Sequence, residues 1–310
     1  MQSTTNGGIV VGVTGSERET AAMQFAAECA RRVGAEVVLA HAFHAVVMPP
    51  PPPSVLMTYA EAADVAEIVV KDVGEEFQEL SQGTVPFRTV TASGSPTQVL
   101  TDLSKDARLV VVQHRTSGWL GRLFVGSTGS GVAAHSACPV VSVPHGWQPG
   151  SEPGEVVVGV HESGEPWQVV RAAFAWAAET GASIRVVHAW HLDPAYDDII
   201  TGRVATEWRE ERLEAMAERL APIVADYPGV HYELEVLHQW PAEALVDATE
   251  QASMVVVGRH ARHGRPTEHL GSVARTALRE AKGPIMVIPL SSADEPADWS
   301  LTEDEISPQT

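Results

Sequence analysis

Cysteine is nearly absent: Cys29 and Cys138 are the two in 310 residues. Two cannot build a disulfide framework, and neither has metal-type spacing. Cys29 falls on the apolar stripe of an expected helix and Cys138 just before an expected strand, so both read as small buried residues. No run of about 18 apolar residues occurs, so no segment is expected to span a bilayer. The N-terminal MQSTTNGG has no charged-then-apolar leader. A cytoplasmic protein with no membrane partner is the expectation. Basic residues are scarce too: 21 Lys and Arg against 40 Asp and Glu give a net charge of −19. That balance argues against a nucleic-acid partner, which needs a basic patch to neutralise phosphates. Also missing are a nucleophile elbow, a Walker sequence, a zincin helix and a redox Cys-x-x-Cys pair. No catalytic residues are assigned.

Part of the charge is a tail. After Lys282 there is no Lys or Arg, whereas Asp294, Glu295, Asp298, Glu303, Asp304 and Glu305 follow. Residues 291–310 have few apolar side chains and are expected to be disordered, as a solvated tail or as a docking segment for a protein partner.

What the chain does contain is itself, twice. HAFH at 41–44 returns as HAWH at 188–191, inside GAEVVLAHAFH and GASIRVVHAWH, at an offset of 147. VVGV at 10–13 and 157–160 keeps that offset. SPTQVLTDLSKDARLVVV (95–112) matches WPAEALVDATEQASMVVV (240–257), and CPVVSV (138–143) matches GPIMVI (283–288), both at 145. The reading is two copies of one domain, 1–146 and 155–290, joined by a Gly/Pro-rich linker at 147–154. Paired histidines three apart invite a metal reading, but on a strand such residues point to opposite faces. The pairs therefore mark the duplication, and no metal site is assigned.

Each copy alternates short β-branched runs with amphipathic stretches. In the first, strands are expected at GIVVGV, EVVLAHA, 84–91, RLVVV and PVVSV, with helices following the first strand and near 60–80, 96–105 and 127–136. Alternating βα units predict an α/β fold of two tandem Rossmann-like domains, each a five-stranded parallel sheet with helices on both faces. Ligands of such sheets sit where the strand order reverses, here beyond the first and fourth strands.

With IVVGVTGSERETAAMQFAAECARRVGAEVVLAHAF, SPTQVLTDLSKDARLVVV, GSTGSGVAAHSACPVVSV and their second-half counterparts in order, the chain resembles the universal stress protein family in its tandem form. The resemblance implies pairing through the last strand and, for many members, ATP binding. Its nucleotide pattern is Gly, two residues, Gly, nine residues, then Gly-Ser or Gly-Thr, accompanied by an Asp ending the first strand. Glycines admit backbone N–H groups to phosphate, and a helix opening on Gly-Ser presents its positive end. In the second copy the pattern reads Gly258, Ala261, Gly271 and Ser272, flanked by Val257 and Val273; in the first it reads Gln113, Thr116, Gly126 and Ser127. His161 and Thr14 stand where the Asp would be, with Ser163 and Ser16 just beyond, and Ala189 and Ala42 follow the second-strand histidine, where backbone would meet adenine. These sixteen residues are the candidate cofactor-binding positions. The pattern is more eroded in the first copy, and the expected cofactor is ATP in the second.

Arg259, Arg262 and Arg265, with His260 and His263, occupy the second copy's loop. Two readings stand: guanidinium groups supplementing a weakened phosphate cradle, or an exposed polar loop. Arg115, Trp119 and Arg122 in the first loop read as exposed. MPPPPPSV at 48–55 reads as a stiff polyproline II connection, or else a recognition strip. Trp167, Trp176, Trp190, Trp208 and Trp240 read as core or interface residues with no stacking box, and Asp102 and Asp247 as solvated helix positions. The resemblance implies a non-catalytic stress-response or dormancy regulator. Its alternatives are a protein-interaction module with vestigial pockets and a slow ATPase. The two copies are expected to form a pseudo-dimer, and two chains a homodimer, with any further protein partner unidentified.

Overall fold

Short runs of Val and Ile become strands where helices cover both of their faces. The computed structural model describes residues 7–15, 19–44, 58–114, 127–150, 154–160, 167–191, 203–259, 261–262, 265–266 and 270–290. The polyproline stretch and the acidic tail lie outside them. The first copy runs β1 (Ile9–Gly12), α1 (Thr20–Val33), β2 (Val37–Phe43), α2 (Tyr59–Leu80), β3 (Phe87–Ser93), α3 (Pro96–Leu103), β4 (Leu109–His114), α4 (Ser127–His135) and β5 (Val140–Pro144). The second runs β6 (Glu155–Val160), α5 (Gln168–Thr180), β7 (Ser183–Trp190), α6 (Arg203–Asp226), β8 (Tyr232–His238), α7 (Pro241–Ala248), β9 (Met254–Gly258), β10 (Ala261–Arg262), β11 (Arg265–Pro266), α8 (Ser272–Glu280) and β12 (Ile285–Ile288).

Third-strand pairing starts later than the 84–91 expected. Pro86 has no N–H to give the ladder, and its carbonyl instead accepts from Val37 N at 2.9 Å. The run of helix expected to 105 ends at Leu103, where Ser104 N turns back to Leu100 O.

Ten strands form one sheet in the order β3-β2-β1-β4-β5-β12-β9-β6-β7-β8. Strands within each copy are parallel. Between the copies, β5 and β12 pair antiparallel, with Val141 opposite Met286. The strand order reverses at β1/β4 and at β6/β9, so each copy has a crevice at the carboxyl ends of those strands. One face of the sheet is covered by α1, α2, α5 and α6 around Phe77, Phe174 and Leu220; the other by α3, α4, α7 and α8 around Leu100, Val132, Leu245 and Leu278. Gly12 and Gly159 hold equivalent places. A Cβ there would lie 2.8 Å from a terminal methyl of Leu100 and 2.7 Å from one of Leu245, so a larger residue would make those leucine side chains shift between α3 or α7 and the first strand of each copy.

The seam between copies has a quasi-twofold arrangement. His114, ending β4, places Nε2 3.4 Å from Ala281 O at the end of α8. Arg259, its counterpart at the offset of 145, sends Nη1 to Ala134 O and Ser136 O, 2.9 Å each, at the end of α4. Phe25 of α1 stacks on Trp176 of α5 and meets Trp147 edge-on. Arg32 donates to Thr180 O at 2.8 Å, and Arg108 pairs with Glu179.

His114 also gives the seam a pH dependence. Its Nδ1 lies 2.8 Å from Ser142 Oγ, and burial pushes its pKa below the usual 6.5. The folded chain therefore binds this proton less readily than the unfolded chain. Its contribution to stability is fully present above pH 6.5 and is lost as pH falls below it. Thermal midpoints measured from pH 7.5 down to 5 should fall less steeply in His114→Gln than in the unmodified chain. Parallel curves would remove His114 from that dependence.

Candidate functional site

The paired histidines find their role at the crevices. His41 on β2 donates from Nδ1 to Val13 O at 2.9 Å, and His188 on β7 approaches Val160 O at 3.3 Å. Each imidazole ties the backbone where the first strand ends to the neighbouring strand. His44 lies one residue past β2, so strand alternation does not govern it. Among the described residues no cluster of three His, Cys, Asp or Glu side chains could hold a metal.

Both expected helix starts are where the Gly-Ser pairs put them: α4 opens at Ser127 and α8 at Ser272. Gly271 is the N-cap of α8, with φ −61° and ψ 162°, and supplies no side-chain cap. A helix start so arranged directs its first N–H groups and the positive end of its dipole outward. Ser272 is exposed, Gly271 and Val273 half-buried, and Val257 and Gly258 buried at the end of β9. Val257 and Val273 share the core of the second face, which joins the strand end to the helix start. Ala189 is buried on β7 and Ala42 half-buried on β2, one residue beyond the anchoring histidines. His161, Ser163, Ser16, Thr116 and Gly126 lie outside the described residues, as do Arg115, Trp119 and Arg122.

The first copy's crevice is filled from within. Gln113, where the second copy has Gly258, folds its side chain across to α1, and its Oε1 accepts from Ala22 N at 3.1 Å. Glu19 is buried as the residue before α1, and Thr14 Oγ1 donates to its carboxylate. Glu19 makes no side-chain cap hydrogen bond to α1, but its carboxylate places negative charge near the positive end of that helix, where an incoming phosphate would meet it. Pro166 occupies the position equivalent to Glu19 in the second copy, and Gly258 has no side chain to send across. The two crevices differ in kind.

The arginine-rich loop divides. Arg259 does not supplement a phosphate cradle: its guanidinium is half-buried in the seam, on the last carbonyls of α4. That placement is favourable for a cation at a helix C-terminus, although burial lowers its pKa. Ala261–Arg262 and Arg265–Pro266 pair as a small antiparallel hairpin with Arg262 opposite Arg265. The hairpin has no sequence signal beyond Gly264 between the two arginines. Asp102 and Asp247 have ordinary polar partners, Lys105 and Gln239. Cys29 and Cys138 are buried, and burial pushes the Cys29 thiol up to about 12, far from nucleophilic use.

Sequence reading missed one feature altogether. At the carboxyl ends of β7 and β8 a row of rings crosses the sheet edge. Trp208 of α6 meets Trp190 at 4.3 Å between centroids, and Trp190 stacks on His238 at 4.2 Å. His238 lies 5.5 Å from His191, which stacks at 4.1 Å and 10° on Trp240. Arg212 sits over Trp208 at the far end, 4.8 Å from its centroid. Trp190 and His238 are register partners, and Trp240 is the N-cap of α7. Trp190 and Trp208 pack against the core as expected, and with the two histidines and Trp240 they also form this row. The first copy has Phe43, His44, Ser93 and Ser95 at the matching places. Ser95 caps α3 by accepting from Gln98 N, whereas Trp240 gives α7 no side-chain cap. Giving up such a cap costs about 1 kcal/mol, and Trp240 remains 48% exposed.

The sequence model described as "Universal stress protein family" matches residues 6–144 and again 154–289. A universal stress protein of Mycolicibacterium smegmatis (strain ATCC 700084 / mc(2)155) is 33% identical over 298 residues, covering 93% of this chain and 99% of its own length. One from Mycobacterium tuberculosis (strain ATCC 25618 / H37Rv) is 32% identical over 293 residues, covering 90% and 95%. Among solved structures, a universal stress protein from Archaeoglobus fulgidus DSM 4304 superposes with a TM-score of 0.66 at 17% identity, covering 91% of this chain and 96% of that one. That likeness concerns the fold alone.

Proposed function

The chain belongs to the universal stress protein family, and from that premise we propose that it acts by binding ATP in the second copy, as a non-catalytic stress-response or dormancy regulator. The observation that carries this reading is the contrast at one strand end. Gln113 bonds Ala22 N in the first crevice, while Gly258 leaves the second without such a plug. Phosphates would lie against the start of α8, at Gly271 and Ser272, with Val257, Ala261 and Val273 around them. The base would lie toward Ala189, and His161 and Ser163 would face the nucleoside.

Ala42, Thr14, Ser16, Gln113, Thr116, Gly126 and Ser127 form the weaker, first-copy counterpart. Glu19 and Gln113 favour reading that half as a protein-interaction module. Catalysis needs a group to position water or metal at the terminal phosphate, and Thr14 and His161 replace the family's Asp. Turnover of ATP above a Ser272→Ala control would restore the ATPase reading.

Purified chain should release adenine nucleotide on heating, detected by mass spectrometry, and should bind added ATP with one site per chain. No retained nucleotide together with no binding at millimolar ATP would end the proposal. Pairing of two chains belongs to the same reading. Because β5 and β12 already pair with each other, a second chain would have to meet another surface.

A further inference from the structure

The ring ladder stands on the ligand side of the sheet, in the copy whose crevice is unplugged. Its construction is unlike core packing. Core aromatics such as Phe77 and Phe174 are fully buried, whereas the ladder ends on Trp240, with one face on His191 and 48% of the residue exposed. The helix beneath it forgoes a capping side chain that the other copy retains in Ser95. A large flat ring held outward at the expense of a cap is what a stacking platform requires. His191 and His238 behind it fix its tilt, and Trp190 and Trp208 anchor the row to β7 and α6.

Position supplies the second argument. The strands lie in the order β9, β6, β7, β8. At about 4.8 Å per step, the platform stands about 14 Å along the sheet from the strand that ends at Gly258. An extended nucleotide spans such a gap from base to terminal phosphate.

We propose that Trp240 is a base-stacking platform that takes the purine ring of a nucleotide whose phosphates lie at the start of α8. This rests on the reading of the second copy as the ATP site, and it adds how the base is chosen. Stacking strength grows with ring area, so purines are held in preference to pyrimidines. Recognition through ring faces leaves the phosphate end unconstrained, so a nucleoside alone should bind.

The test compares adenosine, cytidine and ATP by titration calorimetry on the full chain, on Trp240→Ser and on Trp240→Phe. Adenosine should bind the unmodified chain more tightly than cytidine. Trp240→Ser should weaken adenosine about tenfold, in line with the loss of one stacked base, and erase the preference over cytidine. Its melting midpoint should hold or rise, because Ser restores the cap. Trp240→Phe should retain part of the affinity. Absence of adenosine binding at millimolar concentration, or equal affinity in Trp240→Ser, overturns the platform. ATP binding no tighter than adenosine overturns the phosphate site and leaves the platform standing.

Discussion

Gly258→Gln should weaken ATP binding by roughly 30- to 150-fold while leaving the fold intact. The substitution writes into the second copy the residue that the first copy carries at the same strand end. Gln113 shows where such a side chain goes: across the crevice to an N–H in the first turn of the adjoining helix. In the second copy the equivalent N–H belongs to Val169, in the first turn of α5. A Gln at 258 would reach it and occupy the space a nucleotide needs. Loss of the phosphate contacts made there corresponds to about 2–3 kcal/mol, roughly 30- to 150-fold in affinity. Gly271→Leu should act in the same direction, because its side chain would stand at the N-cap of α8 between the first N–H groups and the anion. Gly126→Leu, the matching change in the first copy, should alter ATP affinity less than about twofold. Calorimetric titration of the three variants decides the matter. Equal losses from Gly126 and Gly271 would place nucleotide in both copies, and no loss from either Gly258 or Gly271 would remove it from the second.

That contrast between copies was only half legible in the sequence. The duplication, the βα alternation and the two helix starts at Ser127 and Ser272 follow from local pattern, because a buried strand and a Gly-Ser helix opening each leave a signal within a few residues. Erosion of the glycines was visible too. What Gln113 does instead was not, since its partner Ala22 lies 91 positions away, and hydrophobic periodicity gives a side chain's face without giving its neighbour. The ring ladder escaped notice for the same reason. Trp190, Trp208, His238 and Trp240 come from three elements and the loop after β8, and only the register of β7 on β8 brings them into one row. Proline was the clearest local signal that went unused: Pro86 sets where β3 begins to pair. Arg259 misled most. Charge composition placed it with Arg262 and Arg265 as a potential phosphate ligand, and nothing in a linear reading indicates that β9 ends against the other copy.

Arg259→Ala should therefore lower stability and barely change ATP affinity, the reverse of what its place in the loop suggests. The guanidinium donates to two carbonyls, Ala134 O and Ser136 O, at the C-terminus of a helix in the opposite half of the chain. Truncation leaves both acceptors without that donor at a half-buried seam and removes a cation from the negative end of α4. The expected loss is about 1–3 kcal/mol, which for a chain of this size lowers the melting midpoint by on the order of 2–5 °C. Arg259→Lys should recover part of it: one nitrogen, Nη1, serves both carbonyls, and an ammonium that reaches the same place can donate to both, at a greater cost in desolvation. The quasi-symmetric contact of His114 with Ala281 O would remain, so the halves should stay paired and unfolding should stay cooperative. Thermal denaturation and ATP titration of the same preparations separate the alternatives. A chain as stable as the unmodified one that has lost nucleotide would return Arg259 to the phosphate site, whereas a destabilised chain that still binds ATP fixes it as the link through which one copy holds the last turn of a helix in the other.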